Sequence, residues 1–418
     1  MTRRDFVAAA SLSTVAAAGE DSPVLDNTVK AEDGFTLAPG PNVEGVAFLR
    51  QCPEVGNPQE TEWPRDAVET FHQVPWIDAA SVRTRWADLE PRPREFNWVT
   101  IDKVLAEVKK YNAGHTGARR TMQIRVMAGE HSPKWIEKAG VRFYDTLGGL
   151  PGRPIHIPMP YDNPGLLDQL RRLYRAVLER YGKDPVVTVY HGTWSAGPWA
   201  ELFHPRAGAP LPPDYTPAKF VKGMSEQLDV LIEEFCLKGK VGELPYSGQY
   251  PPREQIDITR PLTARIVERL GRRSPFMYVQ ANGWGMNRDT GQSTISWHHD
   301  RDYEDVLGQA NLSFQALGSN RGGGWLPQGD WVPLVRLAQK FEIAYAEIYY
   351  ADFMPLDTKH RFVEAFTQPD GAAGHDAVQG FIGFRPWLKN RNRVLYVRGG
   401  TVRQVIRGDN GVQGIDRL

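Results

Sequence analysis

Two glutamates, each in an apolar, strand-like run, have the residue type and setting for acid–base chemistry. Glu201 closes a run that begins as Val186–Tyr190 and then becomes rich in Gly, Pro and Trp. Glu347 lies in a second such run, Phe341–Tyr350. Two carboxylates that flank a glycosidic bond can cleave it. One protonates the leaving oxygen, and the other attacks the sugar carbon or activates a water. The pair therefore predicts glycosidase chemistry.

Alternating strand-like and helix-like runs must position these two carboxylates. The sequence predicts strands at residues 46–49, 79–86, 120–127, 186–190, 276–280, 312–317, 343–349 and 381–384, with amphipathic helices in several of the connections. Eight such units favour a closed (β/α)8 TIM barrel, an α/β fold, over an open doubly wound sheet. No Gly-rich nucleotide loop follows any of the runs, which also disfavours the open sheet. By this count Glu201 follows the fourth strand and Glu347 ends the seventh, so both should lie at one rim.

The segments outside the barrel differ from it in composition. Residues 1–18 carry Arg3-Arg4 before an Ala-rich stretch, which is typical of a twin-arginine export signal, although an ordinary disordered N-terminus is the alternative. Residues 19–43 are predicted as a linker or lead-in, 44–390 as the catalytic barrel and 391–418 as a short C-terminal β-like extension. The export signal predicts a periplasmic or extracellular protein.

Composition excludes several classes of partner. The 418 residues include 50 basic and 50 acidic side chains, so a polyanion such as nucleic acid is not expected. No apolar run outside the N-terminal segment is long enough to span a membrane.

The cysteines are Cys52 and Cys236, and the sequence leaves open whether they pair. The oligomeric state is not determined either.

Further polar and aromatic residues lie at or after the predicted strand ends, where a barrel places its site. We expect them to bind substrate: Arg85, Trp86, Arg125, Trp199, Asn282, Trp284, Gln315 and Tyr345. Indole rings stack on sugar faces, and amides and arginines bond hydroxyls or position carboxylates, so an oligo- or polysaccharide substrate is expected. No cofactor is needed. No metal is expected at His298-His299-Asp300, because adjacent strand residues point to opposite faces. Structural roles are expected for three further polar residues, Glu90, His131 and His204.

Short motifs resemble those of clan A glycoside hydrolases, with the family 42 β-galactosidase type as the nearest. They are Trp86–Pro91 with Phe96-Asn97-Trp98, then the region Arg125–Trp135. Gly197-Pro198-Trp199-Ala200-Glu201 resembles instead the Gly-x-Trp-Gly-Glu segment of related, uncharacterised glycosidase-like TIM-barrel proteins. In that clan the acid/base closes the fourth strand and the nucleophile closes the seventh. The resemblance therefore implies a retaining mechanism, with Glu201 as acid/base and Glu347 as nucleophile.

One position departs from the clan's pattern. Ala200 stands where the clan has an Asn that contacts the sugar 2-hydroxyl. This departure leaves an alternative of a different class, a catalytically silent barrel that binds carbohydrate without cleaving it.

Overall fold

A computed structural model describes residues 36–39, 45–49, 63–74, 77–116, 119–148, 153–196, 208–247, 258–286, 293–294, 306–316, 337, 341, 343, 345–349, 393–398, 401–408 and 411–417. The strands are β1 (Thr36–Pro39), β2 (Gly45–Leu49), β3 (Ala79–Arg85), β4 (Thr121–Gly129), β5 (Phe143–Leu147), β6 (Pro154–Pro158), β7 (Val187–Ser195), β8 (Val241–Ser247), β9 (Met277–Met286), β10 (Ser293–Thr294), β11 (Asn311–Ala316), β12 (Tyr345–Tyr349), β13 (Arg393–Arg398), β14 (Thr401–Gly408) and β15 (Gly411–Arg417). The helices are α1 (Arg65–Gln73), α2 (Trp86–Leu89), α3 (Val99–Gly114), α4 (Trp135–Lys138), α5 (Pro164–Tyr181), α6 (Pro217–Glu234) and α7 (Thr259–Leu270), with a 3-10 turn at Cys236–Lys238.

Eight parallel strands close into a ring. In spatial order they are β2, β3, β4, β7, β8, β9, β11 and β12. β2 and β12, the first and last of these strands in the chain, pair with Ala47 opposite Glu347. The pairing of β8 with β9 completes the ring. Several of the connections carry helices, so the predicted (β/α)8 TIM barrel is confirmed. None of the helices in the described residues is long and apolar enough to cross a membrane.

The predicted numbering of the strands is wrong after the fourth strand. Val241–Ser247 forms the fifth barrel strand, although Gly242, Glu243 and Pro245 are all residues that strands disfavour. The later strands therefore move up by one, and Glu347 lies on the eighth barrel strand rather than the seventh. The eighth strand predicted from sequence, 381–384, lies outside the described residues.

The barrel interior begins with an apolar layer. It consists of Ala47, Ala79, Val189, Val241, Tyr278 and Tyr345, which pack together as a cluster separate from the main core. Two small alanines on neighbouring strands leave room for the two tyrosine rings, whose centroids lie 5.8 Å apart. The larger core lies outside the ring, where helices such as α5 bury Leu166, Leu170 and Leu173. Polar side chains occupy the barrel interior above the apolar layer.

Two smaller sheets accompany the barrel. β5 and β6 form an antiparallel hairpin in the connection between β4 and α5. β1 pairs antiparallel with β13, and β14 and β15 complete that second sheet. The C-terminal extension is thus composed of β-strands, as predicted, and it includes one strand from the segment predicted as a lead-in. The domain boundaries and the export signal at residues 1–18 stay predictions.

Gly129 ends β4 in a conformation that a side chain would disrupt. Its φ is +75°, and a Cβ built there would lie 2.1 Å from the backbone oxygen of Ser195. Gly140 also has a positive φ, +90°, but a Cβ there would meet no atom within 4 Å. We expect Gly140→Ala to lose only the conformational cost of about 1–2 kcal/mol and Gly129→Ala to lose clearly more, as measured by urea unfolding. Equal losses would mean that the β4 and β7 ends separate easily.

Candidate active site

The candidate site is a polar layer inside the barrel, built from side chains of seven of its eight strands. These side chains are Ser81, Arg83, Arg125, His191, Glu243, Gln280, Ser313, Gln315 and Glu347, and each is at most 2% exposed. A charge without partners in such a setting costs several kcal/mol, so the charged members must be paired. Two arginines and two glutamates supply the pairing.

Glu347 receives donors from three other strands. Arg125 Nη2 lies 3.0 Å from its Oε2, and Arg83 Nη2 and Gln280 Nε2 each lie 3.3 Å from the same oxygen. The Ser81 hydroxyl donates to Oε1. Burial alone would raise the pKa of Glu347, but Arg125, Arg83 and Ser81 outweigh it and hold that pKa below its ordinary value. Glu347 is therefore a fixed, ionised carboxylate.

Arg125 connects β4 to four other barrel strands. Its Nε donates to His191 Nδ1 at 3.1 Å, and its Nη1 donates to Gln315 Oε1 at 2.8 Å. Its Nη2 donates to Gln280 Oε1 at 2.8 Å as well as to Glu347. A guanidinium held in four directions has little freedom, so Arg125 fixes both the charge and the position of Glu347.

Glu243 is the second carboxyl group of the layer, and the sequence-based interpretation missed it with its strand. Ser313 and Tyr345 donate hydroxyl hydrogens to its Oε1. Its Oε2 contacts His191 Nδ1 and lies 3.6 Å from Arg125 Nη2. Burial raises the pKa of Glu243 to about 7, Arg125 opposes this shift, and the charge of Glu347 adds to it. The strand of Glu243 also carries Gly242 and Pro245, so the apolar pattern that indicated the other strands did not indicate this one.

Two residues predicted to bind substrate lie in the protein interior instead. Trp86 is fully buried at the start of α2, and its Nε1 donates to Glu90 Oε2 at 3.0 Å. Tyr345 lies in the apolar layer with its hydroxyl on Glu243. Neither ring can stack on a sugar, because a neighbouring carboxyl group and the core already surround it. Arg85 is partly exposed and its Nε donates to Asp88, while Gln315 is buried against Arg125.

Other predicted residues cannot be placed by side chain. Glu201 and Trp199 lie outside the described residues. Asn282 and Trp284 are on β9, and the structure describes their backbone only. Their predicted roles therefore stay predictions. Cys236 is a free, buried thiol, and Cys52 lies outside the described residues.

The structural role expected for Glu90 is confirmed by its contacts. Its carboxylate accepts two bonds from Arg172, at 2.5 and 2.6 Å, and one each from Trp86 Nε1 and the backbone nitrogen of Arg94. The group is fully buried and lies outside the polar layer. It joins α5 to the segment that follows α2.

One more buried acid lies at the C-terminal end of the barrel, just after β4. The Glu130 side chain is 7% exposed, and its Oε1 lies 3.5 Å from Arg153 Nη1. Its backbone nitrogen donates to Ser195, the last residue of β7. Burial raises the pKa of Glu130, although Arg153 and Lys134 oppose the shift. Glu130 is therefore an acid at the barrel rim that was not among the site residues predicted from the sequence.

No protein-family model matches the sequence, and no curated protein matches it. An endo-β-1,4-glucanase from Xanthomonas axonopodis pv. citri is similar in structure, with 10% identity, a TM-score of 0.47 and coverage of 82% of this chain and all of that one. Endo-glycoceramidase II from Rhodococcus sp. has 12% identity, a TM-score of 0.44 and coverage of 92% and 87%. A tri-modular endo-β-1,4-glucanase from Bacillus halodurans has 11% identity, a TM-score of 0.45 and coverage of 76% and 55%. None of the three is a β-galactosidase, and similarity of this size assigns neither a family nor an activity to the chain.

Proposed function

We propose that the protein is a glycoside hydrolase that cleaves a neutral or weakly charged oligo- or polysaccharide by a retaining mechanism. One observation carries the proposal: Glu347 is an ionised carboxylate fixed inside the barrel by Arg83, Arg125 and Ser81. A nucleophile for an anomeric carbon must be ionised and held in one orientation. The two arginines supply the first condition, and the bonds from three other strands supply the second.

In the proposed reaction Glu347 attacks the anomeric carbon while protonated Glu201 gives its proton to the leaving oxygen. The carbon–oxygen bond breaks, and a glycosyl ester on Glu347 forms. Glu201 then takes a proton from a water, which attacks the same carbon and releases Glu347. Both carboxyl groups end in their starting states. No step needs a metal or a cofactor.

Two observations favour a second candidate, a silent barrel that binds carbohydrate. Glu347 is fully enclosed, and Arg125 stands between it and Glu243, so these two carboxyl groups do not flank an open space. The seventh barrel strand, β11, carries Gln315 beside Glu347 rather than a carboxylate of its own. Binding without turnover would follow from that arrangement.

Turnover by the wild type and by Glu201→Gln separates the two candidates. We expect the wild type to hydrolyse at least one member of a panel of aryl glycosides and polysaccharides. Glu201→Gln should lose about 10²–10⁴-fold on the natural glycan. It should lose much less on an aryl glycoside, whose leaving group departs without a proton. Calorimetry on the same panel detects binding. Binding with no turnover by the wild type would support the silent barrel, and equal rates for both proteins would remove Glu201 from the mechanism.

A further inference from the structure

Glu243 is a buried carboxyl group that the proposed mechanism does not use. It lies in the middle of β8, opposite His191 of β7 on one side and Tyr278 of β9 on the other. It is fully buried, and four of its neighbours are polar: Arg125 from β4, His191 from β7, Ser313 from β11 and Tyr345 from β12. A buried acid with this many polar neighbours is not explained by packing alone.

Glu243 and Glu347 share one nitrogen atom of Arg125. The Nη2 atom lies 3.0 Å from Glu347 Oε2 and 3.6 Å from Glu243 Oε2. The shorter contact assigns Arg125 to Glu347 in this arrangement. A negative charge on Glu243 would compete for the same nitrogen, because attraction between opposite charges is strong in an interior from which water is excluded.

The contact with His191 indicates which form of Glu243 is present. Arg125 Nε donates to His191 Nδ1, so that ring nitrogen acts as an acceptor. Burial, with Arg125 and Arg83 as further causes, holds the pKa of His191 well below its ordinary value, so the ring is neutral. The lone pair of Nδ1 already accepts from Arg125, so an ionised Glu243 oxygen beside it would be repelled, whereas a neutral, protonated carboxyl group is repelled less. A pKa of about 7 for Glu243 agrees with this protonated form.

The charges of the layer change when Glu243 loses its proton. Among the described residues, the charged and titratable groups that face it are Arg125, His191, Tyr345 and Glu347, and Arg83 lies behind Glu347. With Glu243 neutral, Arg83 and Arg125 both form ion pairs with Glu347. With Glu243 ionised, two carboxylates compete for two guanidinium groups, and the contact between Glu347 and Arg125 weakens.

We infer that Glu243 is a positioning residue for Glu347, which acts through Arg125 to set how firmly the attacking carboxylate is held. This inference rests on the proposed function, since it assigns Glu243 a part in the same reaction. Neutral Glu243 leaves Arg125 with Glu347 and keeps the site competent. Ionised Glu243 draws Arg125 away and lowers the rate.

The test compares the pH profiles of the wild type and Glu243→Gln, whose side chain has the same shape but cannot ionise. We expect kcat of the wild type to fall as pH rises through about 7, the pKa of Glu243, and the fall in Glu243→Gln to move up by about one pH unit or more. The matched control is Glu234→Gln. Glu234 is also a buried carboxylate, but it lies on α6 and pairs with Arg175 outside the barrel interior. Its replacement should leave the profile in place.

A second measurement does not depend on turnover. The carboxyl carbon of Glu347, labelled with ¹³C and assigned by its absence in Glu347→Gln, should change its chemical shift near pH 7 in the wild type but not in Glu243→Gln. A pH profile of Glu243→Gln that matches the wild type, together with a Glu347 shift that still changes near pH 7 in that variant, would overturn the inference. A wild type that does not turn over any glycan removes the proposed function instead, and the ¹³C titration still decides whether Glu243 controls Glu347.

Folding gives a third readout, with a definite sign. Glu243 has a raised pKa in the folded protein, so its contribution to stability is fully present below the unfolded value of 4.5 and is lost as pH rises through about 7. The urea midpoint of the wild type should therefore fall relative to that of Glu243→Gln across this pH range. Parallel curves would show that Glu243 does not bind a proton in this range.

Discussion

Glu347→Gln should lower kcat by about 10⁴-fold or more, while substrate still binds, because the amide keeps the shape but removes the charge that attacks the sugar. The fold should survive, since Arg125 and Gln280 can still donate to an amide oxygen and the Ser81 hydroxyl can accept from the amide nitrogen. Steady-state kinetics on an aryl glycoside and calorimetry on a natural glycan measure the two effects. The matched control is Glu90→Gln, which removes a buried, arginine-paired carboxylate outside the polar layer. It should cost stability without changing kcat of the folded protein.

The same prediction has a covalent counterpart. A 2-deoxy-2-fluoro glycoside with an activated leaving group should form a long-lived glycosyl ester, because the fluorine slows both steps while the activated leaving group keeps formation of the ester faster than its hydrolysis. Peptide mass spectrometry should find the added sugar on Glu347 in the wild type and no adduct in Glu347→Gln. A label on another carboxylate, or near-normal turnover by Glu347→Gln, would assign the nucleophile elsewhere.

Arg125→Met should lower the free energy of unfolding by about 3–5 kcal/mol, since removal of one partner leaves buried charge uncompensated. Glu347 would keep Arg83 but lose its shortest arginine contact, of 3.0 Å. The double variant Arg125→Met/Glu347→Gln should regain part of this loss, because the amide carries no charge. Urea unfolding measures all three proteins.

The control for Arg125 is an ion pair at the surface. Arg92 and Glu95 lie 3.2 Å apart with side chains 75% and 62% exposed, so water screens their attraction. Arg92→Ala should change the unfolding midpoint little. A similarly small change for Arg125→Met would mean that the polar layer is hydrated and does not depend on its charges.

Much of the barrel could be predicted from apolar periodicity. Val186–Tyr190 gave the core of β7, and the Leu166, Leu170, Leu173 spacing gave α5, because a buried strand and an amphipathic helix leave different patterns. Seven of the eight strands predicted from sequence match barrel strands. These features depend on local sequence, and local sequence was sufficient for them.

β8 could not be predicted in the same way. Its interior carries Glu243 and Pro245, and its Gly242 leaves space for Cys236, since a Cβ there would lie 2.7 Å from the cysteine sulfur. Glu243 is explained by partners far away in the sequence, Ser313 and Tyr345, and Gly242 by the nearby Cys236. The missed strand then displaced the strand number of Glu347. The residue was selected by a count that was wrong, and its contacts with Arg83 and Arg125 are what now support it.

The burial of two aromatic residues that were expected to bind sugar also could not be predicted from the sequence. Trp86 and Tyr345 each follow or begin a strand in the way that a sugar-binding residue would, and composition cannot distinguish the two settings. Their polar atoms settle the matter, because Trp86 Nε1 bonds Glu90 and the Tyr345 hydroxyl bonds Glu243. A buried aromatic with a satisfied polar group belongs to the core.

Closure of the ring between β2 and β12 has a consequence for synthesis of the protein. A ribosome makes Gly45–Leu49 first and Tyr345–Tyr349 last among the eight barrel strands, so the barrel cannot close until nearly the whole chain has emerged. Until then Arg83 and Arg125 lack the carboxylate of Glu347. A chain broken off before residue 345 would have an open sheet edge and excess positive charge in its interior, and cellular proteases would remove it. The charge that we assign to catalysis thus also completes the pairing of two buried arginines, and it reaches them only with the last barrel strand.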